Sequence, residues 1–456
     1  MNVATGSPAP VQRKCDVLII GGGPAGSTAA ITLAEMGHDV VLLEKAHHPR
    51  FHIGESLLPA NLPLFERLGV AGEVHAIGMQ KWGAEFVSPW HAVRSQTFEF
   101  AEAWNKSLPF SYQVRRSQFD EILIRRAATR GAQVIEGCRV RDVDFMTNPA
   151  GLPGGGGARV QADHEDGRAE TFEARFVIDA SGRDTFLGNR LKTKQRNRKH
   201  NSSAMYAHFK GAHRHPDCKA AGNISLFWFD HGWMWFIPLA DGATSVGVVA
   251  WPYYMKSRKK PLREFFLDTL AQCGPLSERL QSAELISDIE ATGNYSYSCD
   301  RPYGSRKNYL LVGDAYAFVD PMFSSGVMMA MTTAAAAAET VDTCLKEPAR
   351  TAAALKHFDR VSRHGPREFS WFIHRVTNPT MRDLFMGPRN VLRMKEALLG
   401  LLAGDIYGET PIWSSLRAFK AVYYIISFAN LKRSLAALRR RRINIQPAGP
   451  DRMAAG

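Results

Sequence analysis

The sequence predicts an α/β protein: a discontinuous Rossmann-like dinucleotide-binding domain, a β-sheet substrate domain inserted into it, and a C-terminal helical region. Three observations carry this. Val17-Leu18-Ile19-Ile20 is a short apolar run of the kind that forms a strand buried on both faces. Gly21-Gly22-Gly23-Pro24-Ala25-Gly26 follows it directly into a helix expected over 27–36. Apolar strands expected at 132–135, 176–180 and 309–312 then return to the same sheet, with a β-rich stretch at 203–300 between the last two.

Gly21, Gly23 and Gly26 are spaced as G-x-G-x-x-G. The first glycine makes a tight turn, the second lets a pyrophosphate approach the backbone, and the third lets helix and strand pack closely. The helix start then faces the phosphates. A second strand expected over 39–43 ends in Glu44, an acid placed to accept from an adenosine ribose. A βα turn without a ligand is the plainer alternative; it leaves the register of strand, glycines, helix, strand and acid unexplained.

At 456 residues the chain has room for two or three domains, and its apolar share of 45% excludes disorder of the whole. A net charge of +13 points to anionic partners: a dinucleotide, an acidic protein, a membrane surface or nucleic acid. No aromatic-interleaved basic motif is present, which sets nucleic acid aside. Cys15, Cys138, Cys218, Cys273, Cys299 and Cys344 are scattered with no C-x-x-C pair. That argues against zinc and a disulfide framework and suits a reducing cytoplasm. Residues 1–14 carry no apolar signal-peptide core and, like 443–456, are expected to be a flexible tail. No run of ~18 uninterrupted apolar residues exists to span a membrane.

Taken in order, 47–56 reads as a polar loop and 57–68 as a helix closed by Gly69. Strands are expected over 81–88 and 97–100, then an amphipathic helix over 116–131 with Phe119, Ile122, Leu123 and Ala127 at helical spacing. The glycine-rich 150–157 connects a meander expected at 140–145, 158–162 and 170–173, ahead of a separate strand at 176–180. Strands at 205–209, 224–229, 233–238 and 244–250, with a helix at 261–270, make the inserted sheet. A long helix over 326–345 and mostly helical sequence over 350–440 complete the chain. The nucleotide domain is thus assigned 15–82, 110–202 and 303–345, the inserted domain 83–109 and 203–302, and the helical region 346–440.

Gly313-Asp314-Ala315 falls at a strand end, where α/β sheets place ligands, and Asp314 can accept from a ribityl hydroxyl. Together with the glycine turn, Asp179-Ala180-Ser181-Gly182 and Val114-Arg115-Arg116-Ser117-Gln118-Phe119-Asp120, it makes a set that resembles the flavoprotein hydroxylase superfamily. The resemblance implies FAD, held by Gly21, Gly23, Pro24, Ala25, Gly26, Glu44, Lys45, Ser56, Arg116, Asp314, Pro321, Gly326 and Val327. The plainer alternatives are a helix-end surface charge for Arg116 and a helix cap for Asp314.

Within that superfamily three features resemble the flavin-dependent halogenases, and the third of them resembles the phenol- and pyrrole-acting branch. Trp233-Met234-Trp235-Phe236-Ile237-Pro238 matches W-x-W-x-I-P; on a strand, Trp233 and Trp235 share one face and can shield the flavin. The alternative is an aromatic strand packed in a core. Lys81 matches the lysine that halogenases place between flavin and substrate, where burial lowers its pKa and an amine can carry or polarise electrophilic halogen. A lone lysine is otherwise a surface residue. Phe318-Val319-Asp320-Pro321-Met322-Phe323-Ser324-Ser325-Gly326-Val327 resembles the halide loop, with backbone N–H groups of Ser325 and Gly326 as the halide site. A side-chain helix cap by Ser324 or Ser325 is the plainer reading. Tryptophan halogenases carry a Glu where this chain has Phe323, which argues against free tryptophan as substrate.

The resemblance implies a reaction in which FADH2 and O2 form a C4a-hydroperoxide that oxidises chloride or bromide to hypohalous acid, which Lys81 directs to a phenol or pyrrole ring. It implies a separate flavin reductase as partner. Leu402-Ala403-Gly404-Asp405-Ile406-Tyr407 is similar to the pyrrole-type branch, in which C-terminal helices cover the substrate cavity. The apolar run 419–431 followed by Lys432, Arg433 and Arg439–Arg442 reads as a solvated helix end, an acidic acyl- or peptidyl-carrier-protein dock, or a membrane-surface helix. An aromatic hydroxylase, an isoprenoid-type flavin reductase and a non-catalytic flavoprotein are the competing functions.

Overall fold

A computed structural model describes residues 11–146, 156–293, 296–304 and 307–446. Residues 1–10 and 447–456 of the expected tails, and 150–155 of the expected glycine-rich connection, lie outside the described residues.

Seven strands form the first sheet, in the order Gln133–Ile135, Val40–Leu43, Val11–Ile20, Ala169–Asp179, Ala158–His164, Cys138–Phe145, with Tyr309–Leu311 added beside Ala169–Asp179. Two expectations are corrected here. Val11 to Lys14 are not a tail: they pair with Glu170 to Glu173. Their polar sequence hid this, because Arg13 lies over the Phe172 ring and Lys14 faces solvent, as befits a strand with one wet face. The meander segment 170–173 and the strand 176–180 are one strand of 11 residues, Ala169–Asp179. Its burial alternates over the first half and is continuous over the last four residues. The first half pairs antiparallel with Ala158–His164, the last with the parallel Tyr309–Leu311. A half-wet and a fully buried stretch of one strand read as two elements.

The second sheet has eight strands. Glu284–Leu285, Ser203–Lys210, Ala243–Ala250, Gly232–Pro238, Ile224–Phe229, Gly83–Val87 and Ser95–Glu99 follow one another, and Glu290–Thr292 also pairs with Ser203–Lys210. The strand expected over 81–88 is broken. Met79–Lys81 belongs to a separate ribbon with Ser111–Gln113, and only Gly83–Val87 joins the second sheet. The N–H groups of Trp82 and Gly83 both donate to Asn223 Oδ1, at 2.9 and 2.7 Å, which fixes the point where the chain changes sheet. A three-stranded sheet of Lys194–Arg196, Tyr297–Cys299 and Ala317–Phe318 had no counterpart in the sequence reading.

The first helix, Pro24–Glu35, packs against the long helix Gly326–Lys346. The helix expected over 57–68 is a 3-10 turn, Pro59–Asn61, and then Leu62–Leu68, ended by Gly69 at φ 68°. Beyond 350 come five helices: Thr351–Ile373, Pro379–Met386, Met394–Leu402, Ile412–Ala429 and Leu431–Asn444. The last includes Ile443 and Asn444, which were expected in the tail. The first four of these bury apolar residues against one face of the second sheet, where Phe385 sits 4.9 Å from Phe86 and 5.6 Å from Phe98. No helix of the described residues is long and apolar enough to cross a membrane.

Candidate active site

The glycine turn shows why its positions are glycine. Gly21 has φ 102°, and a Cβ there would lie 2.5 Å from the Ala180 carbonyl oxygen. At Gly26 a Cβ would lie 1.8 Å from the Gly21 carbonyl oxygen. Gly23 is different: its only near neighbour is Arg50 Nη2 at 3.5 Å, and the residue lines an open cavity of about 480 Å³. Glu44 closes the turn from the end of the second strand. Its carboxylate accepts from Gly22 N–H at 2.7 Å and from Ala46 N–H at 3.0 Å, and it too lines the cavity. Pro24, Ala25, Lys45, Ser56, Arg116, Asp314, Pro321, Ser325, Gly326, Val327, Trp233 and Trp235 line the same cavity. Residues more than 300 positions apart therefore meet as expected; Gly26 and Lys81 are not in the lining.

Arg116 is not a surface charge. It is buried, donates to both oxygens of Asp120 at 2.8 and 3.0 Å, and donates to the Ile53 carbonyl at 3.0 Å. Burial pushes the Asp120 carboxyl up, but the adjacent guanidinium outweighs it and holds the group below the usual carboxylate range. Asp314 is the opposite case: burial raises it to about 6 against the more distant pull of Arg183 and Arg116.

The far wall is aromatic. The Trp233 and Trp235 rings lie 6.0 Å apart, and Trp235 Nε1 donates to Ser245 Oγ at 3.2 Å. Gly247 makes room for Trp235, since a Cβ there would come within 2.2 Å of the indole. The long helix begins at this wall. Ser325 occupies its cap position, yet its side chain makes no cap bond, so the cap expected as the plainer reading is not formed by Ser325. The helix Pro24–Glu35 likewise starts without a side-chain cap. Two helix starts thus present their positive ends to one cavity. Phe323 turns away from it, among Phe369, Phe372 and Phe385.

Lys81 ends the strand Met79–Lys81 and is 1% exposed. Its Nζ donates to Ser56 Oγ and to the Leu57 carbonyl, each at 3.0 Å, and lies 5.3 Å from the centre of the Phe100 ring. No carboxylate pairs with it among the described residues, and burial lowers its amine from 10.5 to about 7. Ser56 stands between Lys81 and the cavity, touching one and lining the other.

Sequence reading missed three contributors. Arg50 lies 3.3 Å from Asp120 and 3.8 Å from Glu44, tying the polar loop to the turn. Arg183 lines the cavity and donates to Thr292 Oγ1 at 2.6 Å. Asp320 accepts from His200 Nε2 at 2.9 Å and Ser202 Oγ at 2.8 Å, and from Met322 N–H at 3.2 Å, which anchors the loop before the long helix. The positive charge of Arg50 in a polar loop was a readable signal; His200 and Asp320 are 120 positions apart and had none.

These features suit a dinucleotide cofactor. A backbone surface without a Cβ, an acid at the second strand end and two uncapped helix starts face one cavity. In agreement, residues 14–361 match the family model described as an FAD binding domain, so the chain is an FAD-binding protein. A chlorinase of Pseudomonas fluorescens that acts on 1H-pyrrole-2-carbonyl-[peptidyl-carrier protein] is 31% identical over 414 residues, covering 86% of this chain and 89% of that one. A tryptophan 2-halogenase of Chondromyces crocatus is 33% identical, over 75% of this chain and 63% of its own length. The solved structure of the myxobacterial chondrochloren halogenase CndH superposes with a TM-score of 0.74 at 32% identity, covering 88% of this chain and 93% of that one. The chain belongs to the flavin-dependent halogenases, which are oxidoreductases using FAD, O2 and halide.

Proposed function

We propose that this enzyme halogenates an electron-rich phenol or pyrrole ring presented on a carrier protein, with Lys81 as the catalytic residue that directs the halogen. The observation that carries the reading is the layering of the site: glycine turn, tryptophan wall and helix start share one cavity, and a buried amine without a counter-ion lies behind Ser56. In this reading the first sheet carries a discontinuous FAD-binding domain, the second sheet and the C-terminal helices enclose the substrate, and the reaction runs in the cytoplasm. The free state of all six cysteines supports that compartment.

Delivered by a separate flavin reductase, reduced FAD when bound would supply two of the four electrons that O2 takes up and the halide the other two, so that halide, O2, FADH2 and one proton would yield hypohalous acid, water and FAD. Gly21, Gly23, Pro24 and Ala25 hold the pyrophosphate, with Gly26 packing the helix against the turn; Glu44 and Lys45 hold the adenosine end, and Ser56, Arg116, Asp314, Pro321, Gly326 and Val327 the flavin end. Ser325 and Gly326 N–H groups hold the halide. Trp233 and Trp235 keep organic substrate from that place. The neutral Lys81 amine takes the halogen from hypohalous acid, releasing water, and passes it to the ring; hydrogen-bonding to the acid is the alternative role of the same atom. Support for a pyrrole or phenol comes from the carrier-bound substrate of the Pseudomonas relative and from Phe323, which fills with hydrocarbon the place where an acid would sit.

The test supplies FAD, NADH, a flavin reductase and bromide with a panel of phenols and carrier-bound aryl acids. Ring-brominated products are expected. Hydroxylated products would make the protein a monooxygenase instead. NADH consumption by the enzyme without reductase would remove the separate partner.

A further inference from the structure

Exposed apolar side chains are concentrated in one segment of the chain. Of the fifteen large hydrophobic side chains exposed among the described residues, seven fall within 424–443, with Phe428 77% and Ile425 67% exposed. They lie on two consecutive helices, Ile412–Ala429 and Leu431–Asn444, which meet at Asn430. On the second helix Leu431, Leu435 and Leu438 are spaced i, i+4, i+7 and share one face. That helix is held by another face: Ser434 is buried, and Arg441 donates to the Lys199 carbonyl at 2.9 Å. The leucine face is therefore left to solvent.

The charge on this segment is one-sided. Residues 412–446 contain eight Lys and Arg and no Asp or Glu. Lys420 pairs with Glu368 and Arg433 with Asp383, and Arg441 turns inward. Lys432, Arg439 and Arg442 are exposed within about a quarter turn of the leucine face, and Arg440 is exposed on the opposite side of the helix; none of the four has an ion-pair partner among the described residues.

Charge complementarity selects what covers the ridge. A second copy in a two-fold contact would set like charges against one another. An acidic protein would answer the charge but would also need a groove matched to a ridge running over two helices. An anionic lipid surface answers both features without a shape match: headgroups for the arginines, and the acyl boundary for Phe428 and the leucines. We propose that residues 424–443 dock the enzyme on anionic lipid surfaces, lying in the interface rather than crossing it.

Co-sedimentation of the full chain with vesicles tests this. Binding is expected to phosphatidylcholine vesicles containing phosphatidylglycerol, about tenfold weaker to phosphatidylcholine alone, and weaker again at about 0.5 M salt. Phe428→Ser with Leu435→Ser, and separately Arg439→Glu with Arg442→Glu, should each lower anionic-vesicle binding about tenfold. Thermal midpoint and FAD binding should stay unchanged, because these side chains are mostly solvent-facing. Absent binding, equal binding to both vesicle types, or ridge variants that bind like the parent would overturn the proposal. So would capture by an acidic carrier protein without any binding to vesicles. Bromination by the same variants is read separately, so loss of docking and loss of the proposed reaction are distinguishable.

Discussion

Two buried cations hold the loop Ile53–Leu57 from opposite sides, and they are built differently. Arg116 donates to the carbonyls at its start and is neutralised by a bidentate Asp120. Lys81 donates to Ser56 and Leu57 at its end and has only neutral partners. A guanidinium with a carboxylate stays charged and positions backbone. An ammonium with none is driven toward the neutral amine by desolvation. On the proposed function, the pair sets a positioning residue against a reactive one at the two ends of one short loop.

The largest effect that can break this contrast is on turnover. Lys81→Met should lower bromination about a thousandfold, ~4 kcal/mol, while reduced flavin is still consumed. Its thermal midpoint at neutral pH should not fall, since no counter-charge is stranded and the desolvation cost at Lys81 is removed. Arg116→Met leaves Asp120 with Arg50 alone and should cost about 2 kcal/mol of folding stability in denaturant titration, along with FAD affinity; adding Asp120→Asn should recover part of the stability. The pH dependence sharpens the comparison further. Between about 7 and 10.5 the unfolded chain holds a proton on Lys81 that the folded chain lacks. This group therefore makes stability rise with pH across that window, and the rise should be missing in Lys81→Met. The smallest effect is at the wall: Trp235→Phe loses the bond to Ser245 and should cost about 1 kcal/mol.

The glycine turn was legible because each requirement is local: a positive φ at Gly21 and backbone contact at Gly26 belong to a few consecutive residues. The tryptophan wall was legible for a similar reason, through the two-residue period of a strand. The sheet change after Lys81 was not, because it is fixed by Asn223, more than 140 positions away. Nor was the position of Lys81 behind Ser56, which the pairing of Met79–Lys81 with Ser111–Gln113 decides. The Asp320–His200 contact and the three-stranded sheet are likewise products of chain crossing, without a periodic signature. Val11 to Lys14 misled for the opposite reason: a strand edge with charged side chains looks like a tail.

The most direct measurement is a single-turnover bromination with parent and Lys81→Ala enzymes under the same reduced-flavin supply, with an external trap for free hypobromous acid. The account predicts ring-brominated product from the parent, and from the variant trapped oxidant with no brominated ring at an unchanged rate of flavin oxidation. Brominated product from Lys81→Ala at the parental rate would contradict it.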